Sequence, residues 1–361
     1  DRYKVELTEY FPYEQNVSNE EWDNAILNLN TRIISGDIPD ILDMSNLSVQ
    51  IYQSKGLLED LYPYIENDPE IQKEDYFENV FEAISLDGKL PYLTNGVAVS
   101  TMLADEDIVV GNDGWTVQEL EKVLDTYGAN SIDNLSGTSF LKIMLRTDGS
   151  FIDWNLGKCS FDSPEFVKML EFAGKIQESS QNGFGGTEMS DSYAAAYETV
   201  LSVYHIAQYR NYYNGNVRFL GLPGGGGVYH AIKPEVKVGI PSSSIQKEGA
   251  WEFVRTLLTE EHQMSCMTLP IHQRAFDKVT QAAVAGKSIW TWIYEDGKAI
   301  EKDVELTKQL LSSAAYVEND NQTLESLILD EAREYFSGAR SALEAAERIQ
   351  SRASLYINEQ M

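Results

Sequence analysis

The sequence predicts an α/β protein built from two lobes. Its 361 residues exceed the length at which one hydrophobic core keeps growing, so two cores are expected. A strand, a helix and a second strand follow one another between Tyr3 and Met44, an order typical of parallel sheets. From Leu324 to Glu359 the apolar residues recur at helical spacing, and Gly338 separates two predicted helices.

The amino-terminal part of the chain carries these signals in close succession. Tyr3–Glu9 alternates apolar and polar residues, which predicts a strand. Ser18 and Glu21 form a capping box that predicts the start of the next helix, and Gly36 is expected to end it.

Asp37–Met44 is the next predicted strand, and polar residues follow at its carboxyl end. Open α/β sheets bind ligands at the carboxyl ends of their strands, so Ser45 and Asn46 become candidate ligand contacts. The same side chains are equally suited to capping the following helix. Both interpretations stay open from the sequence.

Short motifs predict local structure in the next part of the chain. Asp87-Gly88 between apolar residues predicts a tight hairpin turn. Thr116 and Glu119 form a second capping box, and Trp115 before it is interpreted as a hydrophobic staple.

Two further strands are predicted in the second half. Val200–Tyr204 has the apolar run of a strand, with a helix from His205 onward. Val217–Leu222 is a strand that runs into a glycine-rich loop at residues 223–227. This loop lacks the Gly-Lys-Ser/Thr of a phosphate loop, and we interpret it as a flexible loop at the mouth of a cleft.

Composition excludes several function classes. The formal net charge of −29 and a pI near 4.4 argue against nucleic acid and against an anionic membrane surface, because phosphates would be repelled. Twenty Tyr and six Trp indicate a folded, aromatic-rich protein rather than an acidic disordered chain. Neither a signal peptide nor an apolar run long enough to span a membrane is recognised.

Cysteine and histidine spacing predicts neither a metal site nor a cofactor. Cys159 and Cys266 lie far apart without a Cys-x-x-Cys pattern, so neither a zinc site nor a disulfide framework is indicated. The four His residues lack the spacings that metal sites use.

Tryptophans are candidates for stacking on a ligand. Trp154 is the best candidate platform, although a buried core position is the alternative. Trp22 and Trp251 lie on apolar helical faces and are assigned to the core. Trp290 and Trp292 would share one face of a strand, either as a stacking platform or as a packing surface between lobes.

Several segments, in order along the chain, carry a family resemblance. They are Ser35–Met44, Lys55–Leu61, Gly88–Tyr92, the strand and helix of residues 236–258, Leu269–His272 and the closing helices from Tyr335. In this order they resemble the extracellular solute-binding proteins of ABC importers (family 1), in the sugar-binding branch that contains maltose-binding protein.

The resemblance implies the two-lobed periplasmic-binding-protein fold of type II, with discontinuous lobes joined by crossing strands. Lobe 1 is expected at residues 1–95 and 239–312, and lobe 2 at residues 96–238 and 313–361, with crossings near Asn95, Val238 and Ser313. The strand and helix with which this family usually begins have no counterpart before Tyr3, so lobe 1 is expected to lack them.

The resemblance also implies ligand contacts in the cleft between the lobes. Aromatic faces cover the apolar faces of a sugar ring, and amides, hydroxyls and carboxylates bond its hydroxyl groups. On position relative to the family, the candidate ligand-binding residues are Ser45, Asn46, Thr94, Asn95, Asp153, Trp154, Tyr204, His205 and Asn321. No catalytic residue, cofactor or metal is expected.

The function implied is that of a receptor. It would bind a carbohydrate, expected to be an oligosaccharide, as a monomer and without turnover, and deliver it to an ABC permease. Such receptors work on the extracellular face of the cytoplasmic membrane, commonly through a lipid anchor, as lipoproteins. The alternatives are a binding protein for a peptide or polyamine and, less favoured, a glycoside hydrolase with a carboxylate pair.

Overall fold

The computed structural model describes residues 3–10, 19–107, 116–128, 131–147, 149–154, 156–176, 193–223, 230–287, 298–318 and 321–360. The helices are α1 (Asn19–Ile34), α2 (Val49–Ser54), α3 (Tyr62–Asn67), α4 (Glu78–Ile84), α5 (Val117–Tyr127), α6 (Gly137–Thr147), α7 (Pro164–Lys175), α8 (Val203–Tyr212), α9 (Lys247–Val254), α10 (Glu260–Gln263), α11 (Gln273–Val284), α12 (Glu301–Ser313), α13 (Gln322–Phe336) and α14 (Ala342–Gln360). The strands are β1 (Leu42–Asp43), β2 (Gly96–Asp105), β3 (Ile132–Asp133), β4 (Ile152–Asp153), β5 (Lys158–Cys159), β6 (Ala195–Val200), β7 (Val217–Phe219), β8 (Ala231–Pro234), β9 (Val238–Gly239), β10 (Leu269–Pro270) and β11 (Tyr316–Val317). Short 3₁₀ turns lie at Lys73–Asp75, Gly149–Phe151 and Arg255–Leu258.

Strand β2 is the central strand of the main sheet. It pairs with β6, β7, β8 and β10, always antiparallel. The order through the sheet is β11-β8-β2-β6-β3, with β7 and β10 also on β2. All but the last residue of β2 is buried, as expected for a strand covered on both faces.

The apolar interior divides into two large clusters of buried side chains. The first cluster is built mainly from α1–α4, α9, α11 and α12, and the second from α5–α7, α13 and α14. Strand β2 contributes Val97, Val99 and Leu103 to the first and Met102 and Ala104 to the second, so its two faces border different cores. The lobe boundaries at residues 95, 238 and 312 stay predictions.

Helix α8 packs against α12 in the first core. It follows β6 of the main sheet and contributes Ile206 and Tyr209 to that core. Arg210 on α8 forms a forked ion pair with Asp303 on α12, with Nε–Oδ1 at 2.7 Å and Nη2–Oδ2 at 3.2 Å. The side chain of Asp303 is completely buried. This ion pair therefore fixes α8 against α12.

Several local predictions are confirmed. Asp87 and Gly88 adopt φ values of 50° and 74° in a turn closed by the bridge between Leu86 and Lys89. The capping box of Thr116 and Glu119 is present at the start of α5. Other motifs also lie where predicted: Gly36 follows α1 with φ of 86°, and Gly338 lies between α13 and α14 with φ of 78°.

The predicted strand Tyr3–Glu9 is not formed. Residues 3–10 have no strand pairing to the described part of the chain, and Val5 and Leu7 on its apolar side are exposed. Its two ends pack against other parts of the chain: the Tyr3 ring lies against Gly249, and Arg32 lies over the Tyr10 ring at 5.0 Å. The alternation of apolar and polar residues is therefore not sufficient for a strand, because the backbone groups of a strand need hydrogen bonds from a neighbouring strand.

The prediction of a parallel sheet was wrong for the first strands. Strand β1 pairs antiparallel with β9, and the main sheet is mixed, with parallel pairing between β3 and β6 and between β8 and β11. Because Tyr3–Glu9 forms no strand, α1 connects no pair of parallel strands.

The strand predicted at Val200–Tyr204 lies earlier in the chain. Strand β6 already ends at Val200, and α8 begins at Val203. The apolar residues on both sides of Ser202 belong to a buried strand end and a buried helix start, which look alike in a short apolar run.

Some predicted features fall on residues that the structure does not describe. They are Ser18, Trp115, Trp290, Trp292, residues 224–227 of the glycine-rich loop and the side chain of Trp22. Trp251 is buried in the first core, as predicted.

His230 makes the stability of this fold sensitive to acid. Its ring is 3% exposed and lies 3.0 Å (Nδ1) from Thr101 Oγ1, and burial lowers its pKa to about 4. Between pH about 6.5 and about 4 the His230 imidazole is protonated in the unfolded chain but neutral in the folded protein. The free energy of unfolding therefore falls as the pH falls. We expect His230→Gln to flatten the decline in melting temperature over this range. His262→Gln, at a partly exposed position, is the control, and equal slopes for wild type and His230→Gln would contradict the assignment.

Candidate ligand-binding cleft

Ser45 and Asn46 lie in the turn after β1, at the predicted strand end. The Ser45 hydroxyl accepts a hydrogen bond from the backbone N–H of Lys237 at 3.3 Å, and Asn46 is exposed. Helix α2 is capped instead by Ser48, whose hydroxyl accepts from Ile51 N. The interpretation of Ser45 or Asn46 as the cap of this helix was therefore wrong, and contact with a ligand stays a prediction.

A first cavity lies beside α2 and α4. It is lined by Leu47–Gln50, Ala83, Ile84, Leu86 and Tyr92 and by Lys237, Val317 and Glu318. The cavity volume is about 30 Å³. That is the volume of about one water molecule in the liquid.

Glu318 joins this cavity to the main sheet. Its side chain is 6% exposed and follows β11. One carboxylate oxygen accepts a hydrogen bond from the hydroxyl of Ser100 on β2, which lies 3.3 Å from the hydroxyl of Thr199 on β6. The other carboxylate oxygen lies 3.5 Å from Nη1 of Arg146.

Arg146, in the last turn of α6, extends these contacts to α13. Its Nε and Nη2 donate to the two carboxylate oxygens of Glu325 at 2.8 and 3.3 Å, the forked geometry that suits a guanidinium. Lys142 lies 3.7 Å from the same carboxylate. We call Ser100, Arg146, Glu318 and Glu325 the polar seam.

A second cavity opens on the other side of Glu325. Trp154 and Asn321 line it together with Leu145, Ile152, Leu324, Glu325 and Ile328 around about 20 Å³. Trp154 is half-buried and packs against the second core, which fits its interpretation as a core residue in part. Stacking of its ring on a ligand stays a prediction. The structure thus brings two predicted site residues together.

Asn321 is the N-cap of α13 and keeps one polar group unused. Its Oδ1 accepts from Leu324 N and from the Tyr356 hydroxyl, each at 3.1 Å. Its Nδ2 is buried and has no hydrogen-bond partner among the described residues. A buried donor without a partner is costly, so this amide is suited to bonding a ligand.

Asp153 lies next to Trp154 but serves the local turn. It is exposed on β4, and its Oδ1 accepts from Leu156 N at 2.9 Å. It is not among the residues that line either cavity. A role in binding stays a prediction.

Thr94 and Asn95 lie at the start of β2, apart from Trp154 and Asn321. Both are buried, and the Thr94 hydroxyl donates to Gly96 O at 2.7 Å. The Asn95 carbonyl accepts from the thiol of Cys266, while its side-chain Oδ1 is buried without a partner in the described part of the chain. Neither residue lines the two cavities.

Tyr204 and His205 lie in the first turn of α8 rather than at a strand end. Tyr204 is buried in a small cluster with Val203, and its hydroxyl donates to Ala283 O at 3.4 Å. His205 Nδ1 lies 3.3 Å from the Ser202 hydroxyl, and burial lowers its pKa to about 4, so the ring is neutral at neutral pH. Ligand contact by either residue stays a prediction.

Sequence reasoning missed the members of the polar seam. Arg146, Glu318 and Glu325 have the sequence surroundings of ordinary surface charges. One signal was available, because Glu318 follows closely after the crossing predicted near Ser313.

The described residues contain no group of three or more His, Cys, Asp and Glu side chains placed to hold a metal ion. No helix in this part of the chain combines the length and apolar character needed to cross a bilayer.

The fold matches solved structures of binding proteins. The sugar-binding protein MalE from Xanthomonas citri superposes with a TM-score of 0.60 at 17% identity, covering 94% of this chain and 88% of that chain. An ABC substrate-binding protein from Listeria monocytogenes, in complex with cycloalternan, gives 0.54 at 16% identity, covering 93% and 89%. A periplasmic oligogalacturonide binding protein from Yersinia enterocolitica gives 0.55 at 15% identity, covering 94% and 90%. At these identities the likeness establishes the fold, which is the two-lobed mixed α/β fold of the MalE type.

The sequence itself supports a closer assignment. A profile of bacterial extracellular solute-binding proteins matches residues 4–273, which is most of the chain. The match begins in the extended amino-terminal segment and continues through β2, the main sheet and β10 to the start of α11. The chain therefore belongs to the family of bacterial extracellular solute-binding proteins.

Proposed function

We propose that the protein is the substrate-binding subunit of an ABC transporter and binds a carbohydrate, an oligosaccharide, between its lobes. The observation that carries the proposal is the shared cavity of Trp154 and Asn321, which Glu325 joins to the polar seam. An aromatic face beside an unpartnered amide donor and several hydroxyl and carboxylate groups is the chemistry that sugar rings require.

The solved structures of similar fold support the same ligand class. One is a sugar-binding protein, one holds cycloalternan and one is an oligogalacturonide binding protein. A peptide or polyamine receptor of the same family is the alternative, and no contact in the described residues favours it over a sugar.

Binding requires movement of the cavity walls. Pockets for small molecules measure about 300–1,000 Å³, far more than the two cavities beside the polar seam. The walls of the first cavity come from α2, α4 and Tyr92 against Lys237 and Glu318, which belong to different predicted lobes. We propose that the lobes separate to admit the sugar and close on it, with hinges near Asn95, Val238 and Ser313.

Family membership supports the cellular setting that we propose. The receptor acts as a monomer on the extracellular face of the cytoplasmic membrane, held there by a lipid anchor. It delivers the sugar to a membrane permease, which recognises the closed form.

Turnover of the sugar is not part of the proposal. A glycoside hydrolase needs a carboxylic acid of raised pKa facing its substrate. Burial raises the pKa of Glu198 to about 6, but its carboxylate accepts a hydrogen bond from the Tyr209 hydroxyl at 2.8 Å. Glu198 does not line either cavity beside the polar seam.

A thermal-shift screen tests the proposal. Neutral and acidic oligosaccharides, short peptides and polyamines are compared, and a ligand at a hundred times its Kd stabilises by about 2.7 kcal/mol. We expect stabilisation by an oligosaccharide, and chromatography of the mixture after long incubation should show that sugar intact. A peptide or polyamine as the stabilising ligand, or cleavage products of the sugar, would overturn the proposal.

Trp154→Ala separates a stacking role from a core role. We expect it to weaken sugar binding by about 1–2 kcal/mol, roughly fivefold to thirtyfold in Kd by calorimetry, with a small change in melting temperature. Phe276→Ala, completely buried in the first core, is the control and should lower the melting temperature without changing affinity in the folded protein. A large loss of stability in Trp154→Ala with unchanged affinity would assign Trp154 to the core.

A further inference from the structure

The charges of the polar seam bear on which carbohydrates the site accepts. Three nitrogen atoms of Arg146 face carboxylates: Nε and Nη2 contact Glu325 and Nη1 contacts Glu318. An arginine guanidinium binds a ligand carboxylate in forked geometry, with two parallel N–H···O hydrogen bonds. In this protein that geometry is already occupied by Glu325.

Together with Lys142, which lies beside it, the polar seam is close to electrically neutral. Arg146 and Lys142 supply two positive charges, and Glu318 and Glu325 supply two negative ones. The carboxylates are more buried than the cations, with side chains 6% and 11% exposed against 24% for Arg146 and 43% for Lys142. A ligand carboxylate entering here would add a third negative charge next to two buried ones.

A ligand carboxylate does not avoid this repulsion by replacing Glu318 or Glu325 as the partner of Arg146. For a ligand carboxylate to bind Arg146, Glu325 or Glu318 would have to give up its partner while remaining buried. A buried charge that loses its partner is strongly unfavourable. The net charge of −29 on the whole chain acts in the same direction at long range.

The remaining groups beside the seam suit uncharged hydroxyls. The Asn321 amide has a buried donor without a partner among the described residues, and Trp154 offers its ring in the same cavity. Ser100 and Thr199 carry hydroxyls at the other end of the seam. An amide donor and hydroxyls bond sugar hydroxyls without needing an opposite charge.

We infer that the cleft selects uncharged oligosaccharides and rejects uronic-acid oligosaccharides, because Glu318 and Glu325 already neutralise Arg146. This inference rests on the proposed function and narrows it. It separates the protein from the oligogalacturonide binding protein of Yersinia enterocolitica, whose fold it shares.

Paired probes test the selection. Maltotriose, cellotriose and galactotriose are each compared by calorimetry with the same trisaccharide after oxidation of its C6 hydroxymethyl groups to carboxylates. The measurements are made at low and at physiological ionic strength. We expect a neutral member to bind at least about tenfold more tightly than its oxidised counterpart at both ionic strengths, because the buried charges are poorly screened. An oxidised member that binds as tightly or more tightly overturns the inference and leaves carbohydrate binding intact.

Glu325→Gln tests the inference through a gain in affinity for the oxidised trisaccharides. It keeps the shape of the side chain but removes one of the two carboxylates from Arg146, so affinity for the oxidised trisaccharides should rise about tenfold or more. The readout is the ratio of the two affinities, because Glu325 also lines the cavity and its substitution removes a carboxylate that faces neutral sugars as well. Unchanged rejection of the oxidised probes by a folded variant would contradict the role given to Arg146.

Glu331→Gln is the matched control. Glu331 lies on the same helix, is 10% exposed and contacts Arg340 and Arg352 at 2.8 Å each, away from both cavities. It removes the same charge from a similar ion pair, and it should leave both affinities unchanged. An equal gain in this control would assign the effect to net charge and overturn the inference. If a peptide or polyamine binds and no sugar of either kind does, the proposed function itself fails.

Discussion

Replacing Asp303 by alanine is expected to lower the free energy of unfolding by about 3–5 kcal/mol, one of the two largest effects that this structure predicts. The Asp303 side chain is completely buried and binds Arg210 through both carboxylate oxygens. Its Oδ2 also accepts from Ile300 N at 2.9 Å at the start of α12. The substitution leaves a largely buried guanidinium and a helix N–H without this partner.

Denaturant unfolding followed by circular dichroism measures this loss. Asp303→Asn is expected to lose less, because the amide oxygen can still accept from Ile300 N. Asp330→Ala is the control, since its ion pair with Arg333 is exposed and such pairs contribute about 0–1 kcal/mol. A loss below about 1 kcal/mol for Asp303→Ala would mean that α8 is not held to α12 by this ion pair.

Replacing Arg146 by alanine is expected to abolish sugar binding in calorimetry and to destabilise the protein by about 3–5 kcal/mol. The change leaves Glu318 and Glu325 as buried carboxylates, of which Glu318 keeps the hydrogen bond from Ser100 and Glu325 keeps the contact with Lys142. Two like charges near the cavities repel each other and distort the walls that Trp154 and Asn321 form.

Arg340→Ala distinguishes loss of the site from loss of stability. Arg340 is 26% exposed, close to the 24% of Arg146, and pairs with Glu331, which keeps Arg352. This control should lose stability but keep its affinity when both are measured well below the melting temperature. Arg146→Lys should keep part of the stability and still bind weakly, because an ammonium cannot reproduce the fork. Unchanged affinity in Arg146→Ala would remove the polar seam from the site.

The features predicted correctly from the sequence have local causes. The hairpin at Asp87-Gly88 follows from two residues that tolerate positive φ, and the start of α5 follows from Thr116 and Glu119 bonding each other's backbone. The two closing helices follow from apolar spacing and a glycine between them. In each case the residues that decide the structure lie within one turn of each other.

The predictions that were wrong depend on partners elsewhere in the chain. Tyr3–Glu9 has the alternation of a strand, but alternation cannot supply the neighbouring strand that its backbone needs. The displaced boundary at Val200 has a different cause, since a buried strand and a buried helix start share one apolar composition.

The candidate site was predictable only in part, because its members come from distant segments. Trp154 and Asn321 were each proposed from their own surroundings, and the cavity that they share became visible only in the fold. Arg146 lies 172 residues from Glu318 and 179 from Glu325 in the chain, so no spacing rule connects them. The same distance explains why the sequence alone did not predict the preference for uncharged sugars.

The crystal structure of the protein with the trisaccharide that binds most tightly tests the central claim most directly. We expect the sugar between the lobes, with one ring against Trp154, a hydroxyl bonded to the Asn321 amide and others facing the polar seam. A sugar bound on the outer surface of one lobe, with Trp154 and Asn321 packed as they are without it, would contradict the claim.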